Sequence, residues 1–280
     1  MKTCYYYQTF IGLNDILTNQ INTDVIIVSS LHFDTVNKEI EIFLNNNKPT
    51  DKLFNKLWEE TKQASDKGIT IMMMLGGAGG AYQQFFLDIN KTYPKLLNLI
   101  KSKPWIKGLD LDIEEMVNID NVKLLINKLF DDLGKDFIIT MAPVGQSLMS
   151  DEPGMGNFSY KELYNSPEGK KIHWFNTQCY NNSFKKSTID KIVKNKYPVD
   201  KIVMGMMSGD YDSKSFPNAI NEVKDILTEY PNFGGVYDWE YLDAPPDKGN
   251  PQNWARFFKE IQLQDTNESI DNGYGSCNIF

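Results

Sequence analysis

"IKGLDLDIEE", residues 106–115, sets three carboxylates, Asp110, Asp112 and Glu114, in alternation with Leu109, Leu111 and Ile113. On a β-strand, residues two apart share a face and lie about 6.8 Å from one another. The acids therefore project one way and the apolar residues the other. One reading is an antiparallel strand with a solvated acidic face. The other is a strand whose apolar side packs on helices while its acids rise through an interior. In that second setting, carboxylates so close together cannot all ionise, and at least one pKa must rise. A protonated carboxyl beside an ionised one is suited to cleaving a glycosidic bond.

The neighbouring sequence favours the interior. Short apolar, β-rich runs recur at 3–8, 25–33, 69–75, 106–114, 137–143, 173–180, 201–208 and 234–239. Helix-like spacing fills most of the intervals, at 50–67, 84–103, 118–134, 187–196, 218–229 and 251–263. In 118–134 the stripe Val122, Leu125, Ile126, Leu129, Phe130 and Leu133 is followed by Gly134 as a C-cap, and Thr50 is placed to cap 50–67. Strand–helix alternation eight times over predicts a single-domain (β/α)8 TIM barrel across 1–264, with 265–280 a loose C-terminal tail. Residues 143–172 read as a long polar loop over one barrel face. The acidic strand is fourth of eight, and its end falls at the rim where such barrels carry their chemistry.

The chain has 280 residues, 41% hydrophobic and 24% charged, which is enough to bury a core without disulfides or metal. Cys4, Cys179 and Cys277 are too scattered for a disulfide framework or a zinc site. A net charge of −8 with dispersed basic residues argues against nucleic acid as a partner. No window approaches the ~20 apolar residues of a membrane span, so no membrane partner is expected. MKTCYYYQTF contains no apolar signal-peptide core, so the default compartment is cytoplasmic; a leader removed ahead of it would make the protein secreted. Asn157-Phe-Ser and Asn181-Asn-Ser are glycosylation acceptors only in that second case.

Residues 107–114, K-G-L-D-L-D-I-E, resemble the DGxDxDxE signature on the fourth barrel strand of glycoside hydrolase family 18, the chitinases and endo-β-N-acetylglucosaminidases. Lys107 replaces the first acid. The resemblance extends along most of the chain. The third strand ends MLGGAGG at 74–80 where the family has SxGG, with Met74 at the serine position and Gly76 and Gly77 retained. The sixth gives QCYNN at 178–182, similar to the QxYNN of plant-type members, and the eighth gives GGVYDWEY at 234–241, with Trp239 at the family's strand-eight tryptophan.

The resemblance implies a substrate-assisted mechanism, outside the usual two-carboxylate scheme. Glu114 would be the general acid, Asp112 would orient the substrate's N-acetyl group, and Asp110 would tune Asp112 from below through a shared proton or hydrogen bond. Tyr180 would hydrogen-bond the acetamido group with Gln178 and Asn181 nearby, and Trp239 would floor the −1 sugar. Gly76, Gly77 and Met141 are further candidates on the substrate side. One face of the first strand points inward, so either Tyr6 or the Tyr5/Tyr7 pair lines the site, and Tyr6 is the candidate carried forward. No cofactor and no metal are implied. His32, His173 and the methionines at 72–74, 204, 206 and 207 read as structural.

The implied substrate is an N-acetylglucosamine-containing oligo- or polysaccharide, cleaved with retention in a chitinase-like reaction. The alternative within the family is cleavage of the chitobiose core of N-glycans. Only about 25 residues separate Ser208 from Gly234, room for a connection and one helix but not for the inserted α+β module of deep-cleft members. A non-catalytic sugar-binding barrel is the reading from another class, and retention of Glu114 speaks against it. A divalent-metal site on DxDxE would need further ligands, of which Asp238 is the one obvious candidate.

Overall fold

Strands that are apolar on both faces need cover on both, and here the cover is a barrel interior on one side and helices on the other. The computed structural model describes residues 1–19 and 22–271, with 263–271 as backbone alone. Its strands are β1 (Lys2–Tyr7), β2 (Val25–Val36), β3 (Glu39–Leu44), β4 (Thr70–Gly76), β5 (Ile106–Asp112), β6 (Ile138–Met141), β7 (Trp174–Gln178), β8 (Ile202–Met207) and β9 (Gly235–Trp239). Parallel pairing runs β1-β2-β4-β5-β6-β7-β8-β9 and closes through β9 with β1, giving an eight-stranded parallel barrel. The TIM-barrel expectation holds.

Helices connect the strands in order: α1 (Asn14–Thr18), α2 (Asn55–Asp66), α3 (Tyr82–Leu87), α4 (Ile89–Lys101), α5 (Ile119–Leu133), α6 (Gly145–Met149), α7 (Tyr160–Asn165), α8 (Lys186–Lys194), α9 (Phe216–Glu229) and α10 (Asn253–Asp271). α5 shows why they form. Val122, Leu125, Ile126 and Leu129 are buried along one stripe, each contributing about 1.5–3 kcal/mol by leaving water. The Asn118 side chain accepts from the Asp120 N–H at one end. At the other, Gly134 takes φ +84° and its N–H donates to the Phe130 carbonyl.

Two layers of core result. Tyr5, Tyr7, Met73, Leu109, Leu111, Ile139 and Met204 belong to the layer shared with the helices. Cys4, Tyr6, Ile27, Met72, Met74, Trp174, Val203 and Tyr237 fill the barrel. The parity of the first strand is thereby settled, with Tyr6 inward and its two neighbours outward. Between β8 and β9 lie a single 3-10 turn and α9, so the inserted module is absent. Among the described residues no helix is long and apolar enough to cross a membrane.

Four local expectations change. β3 was not anticipated: it runs antiparallel to an extended β2, and the hairpin stands beyond the barrel proper. The alternation in Glu39–Leu44 (EIEIFL) carries that signal. Residues 143–172 are not one long loop, because α6, α7 and a 3-10 turn punctuate them. Thr50 does not cap α2, since the chain first enters a 3-10 turn at Lys52–Phe54 with Asp51 at its cap. The boundary expected at 265 falls inside α10, and 272–280 lie outside the described residues.

Candidate active site

β5 lies fourth around the barrel from β1, and its alternation places Leu109 and Leu111 in the outer layer and the acids inside. Asp110 is fully buried and Asp112 nearly so, whereas Glu114 is half-buried just past the strand's end, at the C-terminal mouth. Lys107, at the opposite end of the strand, is exposed and donates to the Pro104 carbonyl, remote from the mouth.

Each acid has its own partners. Asp110 Oδ1 accepts from the Thr140 hydroxyl at 2.5 Å and the Asn176 amide at 3.0 Å, and Oδ2 accepts from the Tyr6 hydroxyl at 2.7 Å. Trp174 Nε1 donates to Asn176 Oδ1 at 2.9 Å, which turns the Asn176 amide toward Asp110. Burial raises the Asp110 pKa, and these three donors oppose the rise. Asp112 has fewer donors. Burial first, then the charges of Glu114 and Asp110, push its carboxyl well above the usual range. The middle acid is therefore the one pressed hardest to hold a proton, while the lowest is the best solvated by protein donors.

Gln178 joins the upper two. Its Nε2 lies 3.1 Å from Asp112 Oδ1, 3.1 Å from Glu114 Oε1 and 2.9 Å from the Ala142 carbonyl. Three acceptors around one atom identify it as the amide nitrogen. With two N–H bonds for three acceptors, the amide is shared among Asp112, Glu114 and the Ala142 carbonyl.

Backbone geometry at the end of β4 sets how close the column can sit. Gly76 has φ +104°, and a Cβ there would lie 2.1 Å from the Asp112 carbonyl oxygen and 2.6 Å from Tyr82 Cε2. Gly77 has φ +84° and donates its N–H to that same carbonyl at 2.9 Å. Both glycines are buried, so they position β5 instead of offering a surface to a ligand. Met74, beside them, fills the interior.

Tyr180 lies past the end of β7, its hydroxyl 3.0 Å from that of Tyr237, and burial raises both pKa values. Trp239 is half-buried at the end of β9 and leans on Tyr6, ring centroids 5.1 Å apart. Asp110, Asp112, Glu114, Tyr6, Gln178, Tyr180 and Trp239 are thus gathered at one end of the barrel. Two candidates are not. Met141 is fully buried in the outer layer, because its neighbour Thr140 takes the inward position. Asn181 is exposed with φ +52°, its N–H held by Asp210 at 2.8 Å, and it faces a separate groove with Asp210 and Tyr211.

The residues missed by sequence share one signal. Thr140, Asn176 and Tyr237 each sit on an inward parity: Asn176 is two before Gln178, and Tyr237 two before Trp239. Glu115 was also passed over. It accepts from the N–H groups of Ala81 and Tyr82, tying the glycine-rich turn after β4 to the column. An open cleft of about 1110 Å³ begins there, lined among others by Gln8, Phe10, His32, Asn45, Gly80 and Glu115. His32 is structural, its ring nitrogens on Ser30 Oγ (2.6 Å) and the Gly80 carbonyl (2.9 Å). Among the described residues, no group of three or more His, Cys, Asp or Glu is arranged to hold a metal ion.

Comparison with known proteins agrees with this geometry. A fungal endo-β-N-acetylglucosaminidase from glycosyl hydrolase family 18 superimposes with a TM-score of 0.82 at 28% identity, over 93% of this chain and 98% of that one. Chitinase ChiC from Aspergillus fumigatus superimposes with a TM-score of 0.80, also at 28% identity, over 94% and 99%. Chitinase 2 of Rhizopus oligosporus is 27% identical over 205 residues, 66% of this chain; the chain spans 36% of that protein's length. No family model matches the chain. In barrel topology, in the order of its motifs and in these likenesses, the chain resembles the chitinases and endo-β-N-acetylglucosaminidases of glycoside hydrolase family 18.

Proposed function

We propose that this chain is a retaining glycoside hydrolase that cleaves β-1,4-linked N-acetylglucosamine, in a chitinase-like reaction. The observation that carries the reading is the graded column Asp110–Asp112–Glu114, whose upper members share the Gln178 amide at the barrel mouth. Glu114 protonates the glycosidic oxygen, and departure of the leaving sugar opens the anomeric carbon. The substrate's own acetamido oxygen attacks that carbon and forms an oxazolinium ion. Asp112, its proton passed down to Asp110, orients the acetamido N–H and offsets the positive charge that develops on it. Asp110 is anchored below by three donors, and there it shares the proton that Asp112 gives up. Water then opens the ring on the face the leaving group vacated, giving net retention. Tyr180 supports the acetamido group, and Trp239 provides the apolar floor.

A second reading has its own support. The likeness to a fungal endo-β-N-acetylglucosaminidase, and a mouth unobstructed by an inserted module, favour cleavage within the chitobiose core of N-glycans. Both reactions break the same N-acetylglucosamine β-1,4 bond. Incubation with a chitin tetramer and, separately, with a high-mannose glycoprotein distinguishes them. Tetramer cleavage supports the first reading, and glycan release without attack on the tetramer overturns it.

A further inference from the structure

Asp238 is fully buried in β9, on the face turned away from the barrel interior. Its pairing partners on either side, Tyr5 and Met206, belong to the apolar outer layer. No step of the proposed reaction uses it. Among the described residues its Oδ1 has no hydrogen-bond partner, and its Oδ2 lies 2.8 Å from the Ser208 hydroxyl.

Hydrogen counting gives this contact its meaning. Ser208 Oγ is also 3.0 Å from the carbonyl oxygen of Glu240. A serine hydroxyl has one hydrogen, and a carbonyl can only accept. If Asp238 were ionised, Ser208 would face two acceptors with one proton, and one short oxygen–oxygen contact would have no hydrogen in it. A protonated Asp238 resolves this: Oδ2–H donates to Ser208 Oγ, and Ser208 donates to the Glu240 carbonyl. An ionised carboxylate here would also leave one buried oxygen bare of donors, a costly arrangement.

Glu240 is the hinge of the local structure. Its backbone follows Trp239, and its carboxylate accepts from the N–H groups of Gln8 and Thr9 at 2.7 and 2.9 Å. Those two residues line the open cleft that Glu115 also lines. We propose that the Asp238 carboxyl acts as a hydrogen-bond donor to Ser208, a positioning residue that directs the serine proton onto Glu240 and so fixes the rim formed by the ends of β8, β9 and β1. Burial, followed by the charges of Glu240 and Asp243, raises the Asp238 carboxyl, in keeping with this role. The other titratable groups that sense its charge are the buried Tyr5 of β1 and the partly buried Tyr180.

The test uses Asp238→Asn and Ser208→Ala. Asparagine keeps the shape and a donor N–H at every pH. The protonation half of the proposal does not depend on the proposed reaction and is read from melting temperature. Unfolded Asp238 ionises near pH 3.9 while the folded form keeps its proton, so this residue makes the wild type lose stability as pH rises, a share of the loss that Asp238→Asn lacks. The melting temperature of Asp238→Asn minus that of the wild type should therefore widen from about pH 4 upward. A difference that stays flat between pH 5 and 9 overturns the proposal.

The positioning half rests on the proposed hydrolysis of N-acetylglucosamine oligomers. There the wild type should show a rise in KM of about 3- to 10-fold at alkaline pH that Asp238→Asn lacks, the size expected for one lost hydrogen bond. Ser208→Ala should show the raised KM at all pH values. An alkaline limb unchanged in Asp238→Asn, or a wild-type profile in Ser208→Ala, overturns this half. Absence of any hydrolysis by the wild type would refute the proposed function and leave the melting experiment standing.

Discussion

Glu114 and Gln178 are the residues at which the account is most exposed to test. Positioned general acids contribute about 10²- to 10⁴-fold to rate. Glu114→Gln should lower kcat by that range with little change in oligomer affinity, measured by steady-state kinetics and calorimetry; an unimpaired kcat would remove Glu114 from the acid role. Gln178→Leu takes the shared donor from Asp112 Oδ1 and Glu114 Oε1, an interaction of about 1–3 kcal/mol in a buried setting. A fall in kcat/KM of about 10- to 100-fold is expected, with a changed pH profile. At this scale the acids were legible, because alternation with Leu109 and Leu111 exposes their parity in the sequence itself. Their donors were legible in principle from the same rule. Which donor meets which acid was not, since that depends on how far adjacent strands are staggered, as in the pairing of Asp110 with Thr140.

At the level of elements, the meeting of β4 and β5 decides how the column sits. Gly76→Ala would place a methyl 2.1 Å from the Asp112 carbonyl in a backbone region disfavoured for L-residues. Overpacking and backbone strain together predict a loss of roughly 2–4 kcal/mol, read by denaturant unfolding, along with reduced activity as Asp112 shifts. Asp110→Ala is the complementary change. It strands the Tyr6 and Thr140 hydroxyls and the Asn176 amide without their acceptor, and should cost roughly 3–5 kcal/mol, whereas a loss below 1 kcal/mol would show that the donors have other outlets. The glycines were visible in the sequence as a motif, but their work is backbone proximity and not contact with sugar. Met141 and Asn181 were misplaced for related reasons. Strand parity turns Met141 outward, and a left-handed turn after Tyr180 swings Asn181 away from the column.

Over the whole molecule, the barrel was readable because each strand is apolar enough to be covered on both sides and each helix carries one apolar stripe. The β2–β3 hairpin was not, because its residues are half-exposed and their alternation is weaker than the barrel strands around them. The interior acids also leave a global signature. Asp110, Asp112 and Asp238 all have carboxyls raised by burial above the unfolded value near 3.9. A group held protonated longer in the folded state contributes stability below its unfolded pKa, and that stability is lost as pH rises toward the folded value. Each such group contributes a slope of about 1.4 kcal/mol per pH unit within its window. Asp112→Asn should therefore gain stability relative to the wild type with rising pH; a difference that does not vary with pH would mean Asp112 is ionised in the fold.

The central claim is that the alternating acids of β5 form a reaction face that uses the substrate's acetamido group. Proton NMR of a chitin tetramer during its first minutes with the protein tests this most directly. The account predicts that the β-anomer of the new reducing end appears first and slowly mutarotates, with no product from Glu114→Gln. Initial release of the α-anomer, or binding by the wild type with no cleavage of tetramer or N-glycan, would contradict it.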